Sequence, residues 1–326
     1  SASYKVTVNV PRTVTVSRLQ GATALDTMRA IVNAGWVSGG TVVLATSEGY
    51  WDGLTANGVA GLAGAPIVLT DGGSLSWQAR DVISKLKPSK IVVCGGRLAI
   101  SDAVVASATG AAGTKPQVKR LWGSAADGTA CSIFLDGDDF AGGSWSKSAF
   151  VCTDNGYWDA LSAAPISYVK HMPIFLTTGS GERLSSETLS AMKSGGIESV
   201  YVVGGEKAVA PQVVSQLKSA GITVTDRIWG SDAVATSDKV ARLAVSLGLS
   251  PNKLGVATSA GYWDALAGAA LCGKRGSALV IVDGPKAATI SGFVKAHKAA
   301  ISNATIFGGS MAVSNTTATA LKKALA

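Results

Sequence analysis

The sequence predicts an α/β protein made of three tandem doubly wound modules, each with a mostly parallel sheet. Three observations carry this: a set of motifs that recurs three times in one order, short apolar segments alternating with helical ones, and no low-complexity linker between copies. The clearest recurrence is Gly49-Tyr50-Trp51-Asp52-Gly53-Leu54. It returns as Gly156-Tyr157-Trp158-Asp159-Ala160-Leu161 and as Gly261-Tyr262-Trp263-Asp264-Ala265-Leu266, at offsets of 107 and 105 residues. Upstream, Arg18-Leu19-Gln20-Gly21 matches Arg120-Leu121-Trp122-Gly123 and Arg227-Ile228-Trp229-Gly230. Downstream, Pro66-Ile67-Val68-Leu69-Thr70 matches Pro173-Ile174-Phe175-Leu176-Thr177 and the run Ala278-Leu279-Val280-Ile281-Val282. Glycine pairs then follow at Gly95-Gly96, Gly204-Gly205 and Gly308-Gly309. These landmarks divide the chain into an N-terminal extension, residues 1–13, and modules at 14–112, 113–222 and 223–326. Without linkers, the three are expected to pack as one threefold-like body.

In the first module a helical stretch over residues 24–34 precedes a strand at 41–45, and the Gly-Tyr-Trp-Asp turn opens a second helix. A strand at 67–69 follows, then an amphipathic helix at 76–86 with Ala79, Val82, Ile83 and Leu86 on one face, then a strand at 91–93. The strands are short, continuously apolar and β-branched, the pattern of parallel strands buried on both faces. Strands that alternate with helices imply right-handed crossovers and a doubly wound sheet. The second helix is rich in Ala56, Gly58, Ala60, Gly61, Ala63 and Gly64. Glycine weakens a helix, so this composition makes sense where the helix packs closely against a sheet or another helix. The second module carries an insertion-like stretch, Asp136-Gly137-Asp138-Asp139-Phe140-Ala141-Gly142-Gly143. It lacks the later bidentate Glu of an EF-hand loop, and a solvated loop is expected.

Composition excludes several classes. The chain of 326 residues is 47% hydrophobic and 15% charged, which is not the balance of a disordered protein. It is long enough to bury sizeable cores without metal or disulfide staples. Mean hydropathy is +0.30, yet no apolar run approaches the roughly 20 residues of a membrane-spanning helix. No leader is visible at Ser1, which leaves the destination open. The four cysteines show no Cys-x-x-Cys spacing and no neighbouring histidines, which argues against a zinc site. Cys94 and Cys152 lie in apolar runs and read as small buried hydrophobes, while a Cys131–Cys152 disulfide stays open.

The net charge is +8. Divided at residues 112 and 222, with the N-terminal extension counted in the first part, Lys and Arg against Asp and Glu run nine to six, nine to ten and eleven to five, or +3, −1 and +6. Such a balance attracts polyanions, most strongly in the last third. Nucleic acid, an anionic membrane and an anionic wall polymer all fit that charge.

The four landmarks resemble the type 2 cell-wall-binding repeat of Gram-positive surface proteins over almost the whole chain, residues 14–326. That family opens each module with an Arg-hydrophobic-x-Gly segment and a Thr a few residues on, here Thr27, Thr129 and Thr236. The resemblance implies Toprim-like, Rossmann-like α/β modules in a pseudo-threefold arrangement. It also implies noncovalent anchoring of a secreted protein to an anionic secondary cell-wall polymer. One departure stands out: where the family has an Arg-Tyr pair after the opening Gly, this chain has Ala24-Leu25, Ala126-Asp127 and Ala233-Val234.

Several recurring side chains are candidates for ligand contact. Asp52, Asp159 and Asp264 stand between a strand and a helix, where an Asp either caps or complements the helix N-terminus or reaches for sugar hydroxyls. Trp51, Trp158 and Trp263 have two roles open to them, stacking on sugar faces or filling contacts between modules. Arg18, Arg120 and Arg227 offer a planar guanidinium to an anion, or a tie from one module to its neighbour. Lys274 and Arg275 follow the third Gly-Tyr-Trp-Asp helix and add to the +6 of that module. The site is expected in grooves between modules near strand C-termini, with the third module contributing most.

Catalysis finds little support. The two histidines, His171 and His297, belong to no metalloprotease motif, and no Gly-x-Ser-x-Gly elbow occurs. No cofactor fingerprint accompanies the glycine pairs. An effector or surface-layer domain, where the native protein has one, is expected outside these residues. Two other classes stay open: a structural surface-layer or adhesive spacer, and a nucleic-acid or nucleotide binder. Against the last, the one Asp-x-Asp, Asp136-Gly137-Asp138, occurs once, and aromatics interleaved with basic residues are missing.

Overall fold

The computed structural model describes residues 13–283 and 292–326; residues 1–12 of the expected N-terminal extension lie outside the described residues. The first repeat holds β1 (Thr15–Leu19), α1 (Ala24–Gly35), β2 (Thr41–Thr46), α2 (Trp51–Ala63), β3 (Ile67–Thr70), α3 (Trp77–Leu86), β4 (Lys90–Cys94) and α4 (Asp102–Ala112). The second holds β5 (Gln117–Leu121), α5 (Ala126–Ala141), β6 (Ser148–Cys152), α6 (Trp158–Lys170), β7 (Ile174–Leu176), α7 (Ser186–Ser194), β8 (Ser199–Val203) and α8 (Pro211–Ser219). The third holds β9 (Thr223–Ile228), α9 (Ala233–Ser246), β10 (Ser250–Thr258), α10 (Trp263–Lys274), β11 (Ser277–Val282), α11 (Gly292–His297), β12 (Asn303–Phe307) and α12 (Asn315–Leu325).

The parallel doubly wound sheets read from the sequence are present. The strand orders are β3-β2-β4-β5, β7-β6-β8-β9 and β11-β10-β12-β1, with all strand pairs parallel. The fourth strand of each sheet comes from the start of another repeat. β5 pairs with β4, placing Arg120 opposite Val93, and β9 pairs with β8. The third sheet takes its fourth strand from the beginning of the chain, with Arg18 of β1 opposite Ile306 of β12. The three repeats are thus sewn into a closed cycle by backbone hydrogen bonds. These fourth strands went unread because they lie at sheet edges and mix polar with apolar residues, as in Thr15-Val16-Ser17-Arg18-Leu19.

The helices α2, α6 and α10 pack against one another at the centre of the cycle. Their small residues allow it: a Cβ on Gly61 would run into the backbone of Tyr168 on α6. These helices are buried nearly all round, which explains their alanine-rich, weakly amphipathic sequences. Most outer helices carry a side-chain cap. Thr23 and Asp26 form a capping box on α1, and Ser76, Ser101, Ser185 and Ser314 cap α3, α4, α7 and α12.

One expectation needs correction, and one pairing left open by the sequence is answered. The stretch from Asp136 to Ala141 is not a loop but the end of α5, which stops at Gly142 in a left-handed conformation. Gly137 lets the helix approach Val59 and Leu121, Phe134 is buried, and Lys90 Nζ donates to the Phe140 carbonyl at 2.8 Å. Tertiary packing there overrides an acidic, glycine-containing composition that favours a loop. The Cys131–Cys152 bridge is not formed: all four cysteines are free and buried.

Candidate functional site

In each sheet the winding direction reverses between two strands: β2 and β4, β6 and β8, β10 and β12. Loops leaving the C-terminal ends of those strands diverge, and a crevice opens between them. Two of the recurring motifs meet at that place. The Asp that follows β2, β6 or β10 reaches the first glycine of the pair that follows β4, β8 or β12. Gly204 has φ +119°, and a Cβ there would lie 2.7 Å from Asp159 Oδ2; Gly95 and Gly308 share the conformation and the neighbour, Asp52 and Asp264. The glycine is needed both for its positive φ and for the approach of the carboxyl.

The recurring arginines secure the same turn. Arg227 Nη1 donates to the carbonyls of Gly204 (3.0 Å) and Val209 (2.8 Å). Arg120 Nη1 donates to Gly95 (2.9 Å) and Ile100 (2.8 Å), and its Nη2 to Asp102 (3.1 Å). Arg18 donates to Gly308 (2.6 Å) and Val313 (2.9 Å) across the ends of the chain. Of the two roles open to these residues, the tie between neighbouring repeats is made. Arg120 and Arg227 still line their crevices.

None of the three aspartates caps its helix. The N-cap positions are Tyr50, Tyr157 and Tyr262, without side-chain cap bonds, and each Asp lies in the first turn. Burial pushes the carboxyls of Asp159 and Asp264 up to about 6 and raises that of Asp52. Hydrogen bonds from Thr129 to Asp52 and from Thr27 to Asp264 oppose the rise. The same threonines accept the backbone N–H of Gly123 and Gly21, each at 3.2 Å, as Thr236 accepts that of Gly230 at 2.9 Å. Each threonine therefore pins the opening turn of one repeat.

The aromatic pairs make the contacts between modules. Tyr50, Tyr157 and Tyr262 meet edge to face with every pair of centroids 5.5 Å apart, a threefold cluster. The Trp51 indole N–H donates to the Asp154 carbonyl (2.8 Å), that of Trp158 to Ser259 (2.7 Å) and that of Trp263 to Ser47 (2.7 Å). Each module holds the next in cyclic order. The indole rings nevertheless remain 37–40% exposed.

Three crevices result, of about 660, 570 and 550 Å³. Trp51, Asp52, Arg97, Arg120 and Trp122 line the first. Trp158, Asp159, Lys207, Arg227 and Trp229 line the second. The third is lined among the described residues by Gln20, Thr27, Asp264, Ser310 and Met311, with no basic side chain. The fold does not bring Lys274 and Arg275 there. They end α10, twelve residues or roughly 18 Å from its start at Trp263, and Arg275 donates to Thr305 (3.1 Å). The expectation that the third module contributes most is therefore not supported by where its charges lie. Trp122 and Trp229 stood in the recurring Arg-x-x-Gly landmarks without being read as contact residues; the signal was an indole in two copies where the first has Gln20. Among the described residues no cluster of three metal-ligating side chains occurs, and no helix is long and apolar enough to cross a membrane.

Comparison with known proteins gives a consistent result. The family described as Cell wall binding domain 2 (CWB2) matches residues 18–105, 120–214 and 227–318. Two curated relatives come from Bacillus subtilis (strain 168). N-acetylmuramoyl-L-alanine amidase LytC is 27% identical over 94% of this chain and 58% of its own length. Amidase enhancer is 26% identical over 86% of this chain and 36% of its own. The chain thus spans only about half, or less, of these relatives. Among solved structures, Cwp6 from Clostridium difficile superimposes with a TM-score of 0.80 at 21% identity, covering 98% of this chain and 50% of that one. Cwp8 from the same organism gives 0.77 at 20% identity over 95% and 51%. At that identity the likeness is one of fold.

Proposed function

The chain belongs to the cell wall binding domain 2 family, and from that premise we propose that it binds an anionic secondary polymer of the Gram-positive wall and holds a secreted protein at the surface. The carrying observation is the crevice at the first and second switch points, which gathers the recurring Asp, Arg and Trp side chains beside a glycine turn. The net charge of +8 draws the chain to a polyanion, and the crevices supply shape. Binding without catalysis is favoured because the matched family is described as a binding domain. The repeats at 14–112, 113–222 and 223–326 act together, since each sheet borrows a strand from another repeat. The amidase named among the relatives extends well beyond the matched segment, and our reading is that an effector of this protein, where it has one, likewise lies outside these residues.

The missing Arg-Tyr pair shifts the burden of ligand contact from that position to the crevice residues. The test is co-sedimentation with purified Gram-positive walls before and after chemical removal of the secondary polymer. Binding to complete walls that is lost on stripped walls supports the reading. Equal binding to both defeats it, and binding to neither favours a structural spacer.

A further inference from the structure

We infer that the first and second crevices are stacking sites for pyranose rings of the wall polymer, and that the third is not. This rests on the wall-binding reading and names the part of the polymer that the crevices take. Trp51 and Trp122 line the first crevice, Trp158 and Trp229 the second. All four indoles are 37–53% exposed. Paired large aromatic surfaces left open on a folded protein mark a contact site.

Each ring is also held from one side. Tyr50 lies against Trp51 with centroids 4.2 Å apart, and Tyr157 against Trp158 at 4.5 Å. The indole N–H bonds to Asp154 and Ser259 fix the orientation of both tryptophans. Trp122 and Trp229 rest on the second glycine of each pair: a Cβ would come within 3.4 Å of the ring at Gly96 and 3.5 Å at Gly205. Neither glycine has a positive φ, and each ring lies in van der Waals contact with the turn beneath it. Rings already fixed before the ligand arrives lose little entropy on binding. Lys239 Nζ lies 5.6 Å over the Trp229 ring, a flexible chain that can move aside and set its charge beside an acidic substituent.

A pyranose offers an apolar patch of C–H bonds to an aromatic face and hydroxyls around its rim. The rim needs planar donors and acceptors, which Arg120 and Asp52 supply in the first crevice and Arg227 and Asp159 in the second. Net charge does not dominate either place. Arg97 and Arg120 stand with Asp52 and Asp102 around the first, and Lys207 and Arg227 with Asp159, Glu206 and Asp232 around the second. The crevices are suited to ring faces and hydroxyls, while the overall charge attracts the polymer from a distance. Volumes of about 660 and 570 Å³ admit a short run of sugars. The third crevice differs at the decisive points, with Gln20 in place of the second indole and Ser310-Met311 in place of Arg97-Leu98.

The test titrates polymer released from walls into the wild type, Trp122→Ala, Trp229→Ala, the double variant and Trp77→Ala, at 0.15 M and 1 M NaCl. Trp77 is an exposed indole outside the crevices. Each crevice variant should halve the number of sites filled, and the double variant should bind at least tenfold more weakly, the scale of losing aromatic anchors. Trp77→Ala should match the wild type, Trp122→Tyr should keep most of the first site, and wild-type binding should persist at 1 M salt. The inference falls if the double variant, melting as the wild type does, binds within twofold of it, or if 1 M salt abolishes wild-type binding. In those cases a preference of the wild type for complete over polymer-stripped walls leaves the wall-binding reading standing. Equal binding to both walls removes that reading and this inference together, and assigns the sugars to peptidoglycan.

Discussion

Replacing Asp159 by Asn tests whether the crevice carboxyl is a burden the fold carries. Burial lifts this carboxyl from 3.8 to about 6. At 1.4 kcal/mol per unit, holding it ionised at pH 7.5 costs about 3 kcal/mol, a ceiling lowered by the favourable N-terminus of α6. Because the folded value lies above the unfolded one, the folded chain binds the extra proton between about pH 4 and 6. Stability from this group therefore falls as pH rises through that window and is flat above it. Asn is close in shape and never ionises, so Asp159→Asn loses the slope. With unfolding entropy of about 2.1 cal/mol/K per residue, 3 kcal/mol over this chain is worth about 4 °C. Calorimetric melts of both proteins at pH 4.5 and 7.5 measure the difference. The variant should melt up to about 4 °C higher at pH 7.5 and only about 1.5 °C higher at pH 4.5, where about a third of the cost is already present. The lowered carboxyls, Asp26, Asp81 and Asp102, titrate alike in both and drop out of the comparison. A variant that melts several degrees lower at pH 7.5 would refute the reasoning and show that the ionised form holds the glycine turn.

Three further outcomes follow from the same geometry. Gly204→Ala places a Cβ 2.7 Å from Asp159 Oδ2 at a φ of +119° and should cost about 3 kcal/mol in urea unfolding, so a midpoint like that of the wild type would contradict the packing. Arg227→Ala strands the carbonyls of Gly204 and Val209 and should cost about 3 kcal/mol in urea unfolding; a loss below about 0.5 kcal/mol would contradict its role as a tie between repeats. Burial pushes the thiols of Cys131 and Cys272 up to about 11 and about 12 and raises those of Cys94 and Cys152 as well. A thiol reagent at pH 8 should therefore count no cysteines in the folded protein and four after denaturation, and fewer than four would indicate a disulfide.

What the sequence disclosed was local in origin. The strands at β2, β3 and β4 are apolar runs, and α3 has an apolar face behind a serine cap, so both could be read from neighbouring residues. The small residues of α2 pointed correctly to a close approach, later found against α6 and α10. What stayed hidden depends on partners far along the chain. Arg18 is satisfied by carbonyls 290 and 295 residues away, and nothing in Thr15–Leu19 signals that β1 completes the last sheet. The end of α5 is helical because Val59 and Leu121 receive Gly137, which its acidic composition does not suggest. Charge was legible in sign but not in place: Lys274 and Arg275 count toward the +6 of the last module yet stand at the far end of α10 from Trp263. The indoles of Trp122 and Trp229 were visible as letters, while their seats on Gly96 and Gly205 required the fold.

Displacement from complete walls asks most directly what the crevices hold. The protein is first bound to purified walls, then challenged with either released secondary polymer or muropeptides from digested peptidoglycan. Release by the soluble polymer, with muropeptides ineffective at the same sugar concentration, is the predicted result. Release by muropeptides while the polymer leaves the protein bound would contradict it.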